Sequence, residues 1–268
     1  MTWRVNSETA LLLGGGRALL MQLAHPLVAA GVAHHSDFRT NPLPRLTRTM
    51  ELTLALVFGT VDDAMAAARS INGVHRRVHG HLEEATITMP AGTPYSAGDK
   101  DLLLWVHATL VDSAIATYEA FVGPLTVADR EAYYRESQVV GRLLGIAASD
   151  FPPDHAAFAA YVAERCRSLE VTDQARGLAH SVLHPPLRRV PRLAFWPHGL
   201  VTAGLLHPDL RSGYGLAWGP GRRTAWRITR VALRFLVARL PRWLRIVQPA
   251  RVAMRRWAPS GRESQGVP

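Results

Sequence analysis

The sequence predicts an all-α protein, a single large helical-bundle domain of about ten helices. Three observations predict this class. Apolar residues recur at helical spacing over long segments, most strongly over 99–122. Thr60 and Thr172 stand at helix-start positions before two of these segments. The segment 83–98, which contains Tyr95, breaks the helical period and predicts a short hairpin or a long loop, the only plausible β content of the chain.

Composition sets the scale of the fold and excludes some chemistry. With 268 residues, 48 % of them hydrophobic, the chain can bury one large core or a core with an appendage. The single cysteine, Cys166, excludes an internal disulfide framework and any multi-cysteine zinc or iron–sulfur site. The N-terminal segment lacks the pattern of a secretory signal, and no stretch of about eighteen residues is apolar and uncharged. We therefore expect a cytoplasmic protein without a spanning helix.

Positive charge is concentrated at the C-terminal end of the chain. The net charge is +10, and from Arg211 onward thirteen arginines stand against one acidic residue, Glu263. The first 210 residues therefore carry a net charge of about −2 by difference. This contrast divides the chain into a domain over 1–214 and an arginine-rich amphipathic tail over 215–268.

The first predicted helix, 8–23, is broken or kinked by the triple glycine 14–16. A phosphate-binding loop is disfavoured because no lysine–serine or lysine–threonine pair follows the glycines and no strand precedes them. Close approach of a backbone or a cofactor is the more economical explanation. His25 then precedes Pro26, which favours an extended or turn conformation and leaves the imidazole at the end of a helix.

His34, His35 and Asp37 cluster in a predicted turn after the small-residue run 28–33. These residue types are those of a two-histidine, one-carboxylate iron site, although their spacing does not single out such a site. A solvated turn is the alternative. The cluster could also line a pocket without binding a metal.

A helix over 43–59 follows, with a core face rich in leucine. Arg45, Arg48 and Thr49 lie on another side of it, at positions i, i+3 and i+4. They form either a solvated face with two cations, or a pair of arginines and a hydroxyl directed at carboxylates or at bound oxygen.

The next predicted helix, 64–82, carries histidines along its apolar side. Its apolar stripe consists of Ile71, Val74, Val78 and Leu82. His75 lies at the edge of this stripe, and His79 is four residues further along the same side. An imidazole in that position points inward, either as a core histidine with satisfied nitrogens or as a ligand to a metal or haem.

The segment 99–122 predicts the strongest helix of the chain. His107 shares its apolar face, so the imidazole should be buried. Thr109, Asp112 and Ser113 lie on adjoining faces, an unusually polar set for a helix with so much apolar surface. These groups either satisfy one another in a core or surround something polar.

Further helices complete the domain and lead into the tail. They are predicted over 126–145, 153–168, 172–183 and 200–214, with a proline-rich connection over 184–197. In the tail, one cationic stripe is formed by Arg223, Arg227, Arg230 and Arg234. Tryptophan and leucine occupy the other sides of this helix, and a similar mixture continues to Trp257.

A basic helix with tryptophan and leucine is suited to an anionic membrane surface. The region 222–257 is therefore a candidate for peripheral membrane contact, on the inner face of the membrane for a cytoplasmic protein. A solvated face on a helix that packs into the core is the alternative. Nucleic acid is disfavoured as a partner, because no nucleic-acid motif accompanies the arginines.

Four stretches resemble one known family. They are LLLGGGRALLMQLAHPLVAAGVAHHSDFR, RLTRTMELTLALVFG, VHRRVHG and PYSAGDKDLLLWVHATLVDSA. Together they are similar to the bacterial MpaB-type oxygenases, which are related to the catalytic domain of the fungal oxygenase MpaB and to the latex clearing proteins, which are rubber oxygenases. The resemblance covers most of 8–214 and does not obviously include the tail.

The resemblance implies an all-helical oxidoreductase with buried haem b. Its His-x-x-Val pattern falls on VHRRVHG and implies His75 as the proximal iron ligand, with His107 in reserve if the alignment shifts. An Arg-x-x-Lys-Thr pattern near the haem is similar to Arg45, Arg48 and Thr49, with arginine replacing the lysine. Arg48 could then pair with a haem propionate.

The resemblance also implies chemistry at the opposite face of the iron. O₂ would bind there, beside a pocket for an apolar, isoprenoid or alkene substrate lined by His25 and Thr49. The acidic catalytic residue of the rubber oxygenases has no clear counterpart. The nearest polar candidates are His25, His34, His35 and Asp37.

Two other functions stay open on the sequence alone. One is a non-haem metal oxygenase that uses His34, His35 and Asp37. The other is a cofactor-free protein that binds hydrophobic molecules.

Overall fold

The computed structural model describes residues 1–36, 42–185, 191 and 195–257 and confirms the all-α class. The α-helices are α1 (Thr2–Asn6), α2 (Gly15–Leu23), α3 (Pro26–His35), α4 (Pro42–Phe58), α5 (Val61–His75), α6 (Lys100–Phe121), α7 (Val127–Leu143), α8 (His155–Ser168), α9 (Asp173–Leu183), α10 (Trp196–Leu205), α11 (Pro208–Gly213), α12 (Pro220–Arg239), α13 (Arg242–Arg245) and α14 (Gln248–Trp257). Short 3-10 helices span Thr9–Gly14 and Ala148–Asp150. Strands β1 (His79–His81) and β2 (Pro94–Ser96) form an antiparallel pair.

Helix starts follow the local signals in the sequence. Thr60 and Thr126 each accept a hydrogen bond from the backbone N–H three residues later, and the aspartate at that position bonds back to the threonine backbone N–H. Thr172 likewise accepts from the N–H of Ala175. Such caps satisfy N–H groups that have no partner within the helix, typically contributing about 1 kcal/mol each.

The core is built around α6, which packs against α2 and against the Thr9–Gly14 3-10 helix that precedes α2. Its largest cluster combines Leu20 and Met21 of α2, Trp105 of α6 and Leu178 of α9. The Trp105 indole N–H donates to the carbonyl of Met21 at 3.2 Å, so this buried polar group is satisfied. Because these helices are apolar on the faces that meet, burial of that surface stabilises the bundle.

The triple glycine lets helices approach one another closely. The Thr9–Gly14 3-10 helix changes into α2 at this point, which confirms the predicted break. A Cβ at Gly14 would lie 2.1 Å from Thr117 Oγ1, and one at Gly16 would lie 2.3 Å from Thr202 Oγ1. Backbone packing against side chains of α6 and α10 therefore accounts for two of the three glycines.

The predicted helix over 64–82 is wrong beyond His75. The chain turns after α5 and enters β1, so His79 lies on an exposed strand rather than one helical turn above His75. Gly80 pairs with Tyr95 across the strands, and a Cβ there would lie 2.7 Å from the Tyr95 hydroxyl. Val74, expected on the buried stripe, is exposed. The strand pairing thus overrides the helical spacing, and the hairpin expected over 83–98 begins earlier, at residue 79.

The tail packs part of its surface on the helical domain. Trp226 of α12 meets Phe121 edge to face at 6.0 Å, and α14 packs Ala250 and Ala253 beside Phe58. The buried Glu8 carboxylate binds Arg245: the Nε–H is shared between Oε2 at 2.9 Å and Oε1 at 3.0 Å, and Nη2 donates to Oε1 at 2.8 Å. One side of the tail therefore belongs to the folded core.

Among all the residues that the structure describes, no single helix is long and apolar enough to cross a membrane. The segments Thr9–Leu23 and Pro26–His35 reach the required length and hydropathy only as a pair, and they are bent by 106°. Both segments contribute side chains to the main core cluster, including Leu20 and Ala29.

Candidate functional site

His75 ends α5 as a partly buried imidazole. Its Nδ1 is buried and has no hydrogen-bond partner among the residues that the structure describes. Burial lowers the pKa of His75, so the ring is neutral near pH 7. A neutral imidazole with an unused nitrogen is the form in which histidine binds a metal.

His107 lies on α6 and is buried, as the sequence predicts. Its ring packs edge to face against Phe151 with centroids 5.8 Å apart, and its Nε2 is buried without a hydrogen-bond partner in the described part of the chain. Burial lowers the pKa of His107 to about 4. A buried polar atom without a partner costs about 1–3 kcal/mol, which calls for a bound group or a functional role.

The C-terminal part of α5, which carries His75, and the His107 ring contact opposite ends of the segment 143–151. Asn72, one turn before His75, donates from Nδ2 to the carbonyl of Leu143 at 3.1 Å. Phe151, at the far end of the segment, contacts His107. Both imidazoles fit a haem iron chemically, since each is neutral and each has an unpartnered nitrogen.

His25 caps α3 rather than lying free in a pocket. Its Nδ1 accepts a hydrogen bond from the Leu27 N–H at 3.3 Å, so Nε2 carries the proton of the neutral ring. Burial, with a smaller effect from the positive charge of Arg165 and a partly opposing one from Asp101, lowers the pKa of His25 to about 4. His25 is therefore a buried neutral donor.

His34 and His35 form the last turn of α3, not the turn predicted after it. His34 Nδ1 lies 2.9 Å from the Tyr95 hydroxyl and its Nε2 lies 3.3 Å from Glu83 Oε1. His35 Nε2 lies 3.0 Å from the carbonyl of His79. The pair therefore joins α3 to the hairpin, and Asp37 lies outside the described residues.

In the described part of the chain, no group of three or more histidine, cysteine or acidic side chains is arranged to hold a metal ion. Cys166 is buried, and burial raises the pKa of its thiol to about 12. A buried thiol with a raised pKa is not activated as a nucleophile.

Arg48 and Thr49 are exposed on α4, and the side chain of Arg45 lies outside the described part of the chain. Arg48 Nη2 donates to Ser70 Oγ on α5 at 3.4 Å, a long hydrogen bond to a hydroxyl rather than to a carboxylate. Arg48 thus links α4, which carries the Arg-x-x-Arg-Thr sequence, to α5, the helix that ends at His75. Within the described ranges, no contact brings Thr49 to His25.

Sequence reasoning missed the buried cation of the core, Arg17. Its Nη2 donates to Asp112 Oδ2 at 2.6 Å, its Nη1 to Ser113 Oγ at 2.8 Å and its Nε to the Leu205 carbonyl at 2.8 Å. Two members of the polar set on α6, Asp112 and Ser113, therefore bind a guanidinium, whereas Thr109 donates to the carbonyl of Val106 in its own helix. The available signal was an arginine on apolar α2 together with an aspartate on apolar α6.

Acid is expected to destabilise the protein between about pH 6.5 and pH 4. Burial lowers the pKa of His25 and of His107 in the folded protein to about 4, below the ordinary 6.5. In this pH window these two histidines therefore bind protons mainly in the unfolded chain. Above pH 6.5 both states are neutral and neither histidine contributes; by pH 4 each costs on the order of 3 kcal/mol.

Urea unfolding at about pH 7 and about pH 4.5 measures this loss. A His107→Leu variant should lose a smaller free energy of unfolding between the two pH values than the wild type does. Carboxylates titrate equally in both proteins, so the comparison isolates His107. Equal losses in both proteins would contradict the assignment of a depressed pKa to this histidine.

A family model described as "ER-bound oxygenase mpaB/B'/Rubber oxygenase, catalytic domain" matches residues 3–238. The matched span includes the histidines at 25, 75 and 107, and it extends through α12 almost to its end. No curated protein and no solved structure matches the chain.

Proposed function

The chain belongs to the ER-bound oxygenase mpaB/B' and rubber oxygenase catalytic-domain family and is an oxidoreductase of the oxygenase class, and we propose that it uses haem b and O₂ to oxidise an apolar alkene. The observation that carries the proposal is the buried, unpartnered Nδ1 of neutral His75 in the VHRRVHG sequence. A rubber oxygenase, by its name, acts on a polymer of isoprenoid units, which supports an isoprenoid alkene as substrate class.

His75 would hold the iron, with His107 as the reserve ligand. Ligation satisfies a ring nitrogen, and the second nitrogen of such a ligand normally donates to a carbonyl or carboxylate that fixes the ring. Arg48 would pair with a propionate, since its guanidinium is exposed and is held by a single long hydrogen bond. Arg45, one helical turn before Arg48, is proposed for the same role.

Haem, when bound, supplies the activation of O₂. The protein would contribute uncharged imidazoles to the site, because burial lowers the pKa of His25 and of His107 and keeps both rings neutral near pH 7. His25 Nε2–H is a donor in that environment and would stabilise negative charge that develops on oxygen. Thr49 and His34 are proposed as further polar contacts, His34 through its link to Tyr95.

The non-haem alternative receives less support from the contacts. Both ring nitrogens of His34 already lie within reach of Tyr95 and Glu83, and His35 Nε2 contacts a backbone carbonyl. Either histidine would have to leave these partners to bind iron. Membership of an oxygenase family likewise favours catalysis over simple binding of hydrophobic molecules.

Haem content and O₂ uptake test the proposal. Protein purified from haem-supplemented cells is expected to show a Soret band and to consume O₂ with squalene, an isoprenoid alkene. Squalane, its saturated counterpart, is the matched control and should support no O₂ uptake. Folded protein that consumes O₂ with squalene but contains iron without porphyrin would overturn the haem assignment in favour of the non-haem alternative.

A further inference from the structure

Helix α12 has two apolar faces on opposite sides. Trp226, Leu233 and Val237 face the domain, where Trp226 packs on Phe121. An exposed set points the opposite way and consists of Ile228, Val231 and Phe235, with exposed fractions of 65 %, 66 % and 57 %. At about 100° per residue, the exposed set lies roughly 140–200° around the helix from Trp226. Core packing therefore does not explain the outer face.

Arginines line one flank of this outer face. Arg223, Arg227, Arg230 and Arg234 are exposed, and across the described chain none of them forms an ion pair with a carboxylate. The α12 sequence contains no acidic residue. On the neighbouring α6, the carboxylates of Asp112 and Glu119 are already engaged by Arg17 and Arg130. Within the described ranges, the positive charges of these four arginines are therefore not balanced by an ion pair.

The outer face is slightly concave. A shallow depression on α12 is lined by Arg227, Ile228, Val231, Ala232 and Phe235. Its lining is thus apolar apart from one cation, Arg227. This combination matches a helix that lies in a membrane interface, with its apolar side at the acyl boundary and its cations among the headgroup phosphates.

We propose that this α12 face, defined as Ile228, Val231 and Phe235 with the arginines at 223, 227, 230 and 234, docks on an anionic lipid bilayer. A second copy of the chain would bring further arginines to the contact and no acidic residue from α12 to pair with them. A nucleic acid would satisfy the arginines but leave the three apolar side chains without an apolar partner. The lipid surface satisfies both groups.

Vesicle co-sedimentation of the full chain tests the docking directly. Wild-type protein should bind vesicles of phosphatidylcholine with phosphatidylglycerol, bind pure phosphatidylcholine far less, and be released by salt. Arg227→Gln, Arg230→Gln and Arg234→Gln together should weaken binding on the order of 100-fold, at about fivefold per cation. Ile228→Gln with Phe235→Gln should also weaken it, with all the charges retained.

A matched control removes the same charge elsewhere. Arg69, Arg77 and Arg142 are exposed outside α12, and their triple glutamine variant should bind vesicles nearly as well as the wild type. Equal losses in both triple variants, or equal binding to neutral and anionic vesicles, would overturn the proposal. A wild-type dimer that Ile228→Gln with Phe235→Gln converts to a monomer would assign the face to a second copy instead. These measurements use no turnover and no haem, so they are independent of the proposed function.

Discussion

His75→Ala protein is expected to fold and to lose its haem absorption band. The imidazole would supply the coordinate bond between the protein and the iron, and the variant leaves the other contacts of the proposed site in place. The loss of haem affinity should exceed the roughly 10–100-fold that the outer partners of a metal ligand contribute. Absorption spectra and haem titrations of the purified variant, with circular dichroism to establish folding, measure the effect.

His107→Ala is the matched comparison, because this histidine is also neutral and also has a buried nitrogen without a partner. It should keep the Soret band, with at most a shift. Free imidazole added to His75→Ala should restore the band by entering the space left by the side chain, which a purely structural role would not predict. Loss of the band in His107→Ala alone would move the ligand to α6.

Local signals account for the parts of the fold that the sequence predicted well. The threonine caps, the break at the triple glycine and the long α6 depend on residues within a few positions of one another. Burial of His107 also follows locally, because it shares a face with the apolar residues of one helix. Such features need no knowledge of the tertiary fold.

Contacts between distant segments account for the errors. Helical spacing continued past His75, but Gly80 pairs with Tyr95 and draws the chain into a strand. His34 resembled part of a metal site by residue type, and its observed partners, Tyr95 and Glu83, come from the hairpin region. Neither partner could be inferred from spacing, because strand pairing is set by side chains far apart in sequence.

The tail shows both effects in one helix. Its cationic stripe could be read from the sequence, since the arginines recur at helical spacing. Which apolar side chains turn inward could not be read, because Trp226 is selected for the core by the close approach of Gly204 and by Phe121. Only the fold separates the buried apolar face from the exposed one.

Asp112→Leu is expected to destabilise the protein by about 3–5 kcal/mol, because it leaves the buried Arg17 guanidinium without its counter-charge. Arg17 and Asp112 are 95 residues apart in sequence, and the same guanidinium also bonds Ser113 and the end of α10. The charge therefore holds α2, α6 and α10 at one point. Free energies of unfolding from urea titration measure the loss.

The double variant Arg17→Met with Asp112→Leu separates the cost of an unpaired charge from the worth of the pair. Removing both charges should recover much of the stability lost in Asp112→Leu, since a buried pair replaced by apolar residues of similar size is often close to neutral. Glu119→Gln breaks the more exposed pair with Arg130 and should cost no more than about 1 kcal/mol. The single variant Arg17→Met completes the comparison. If the stability losses of Arg17→Met and Asp112→Leu simply add in the double variant, the two charges are not coupled. The polar set on α6 would then have another role.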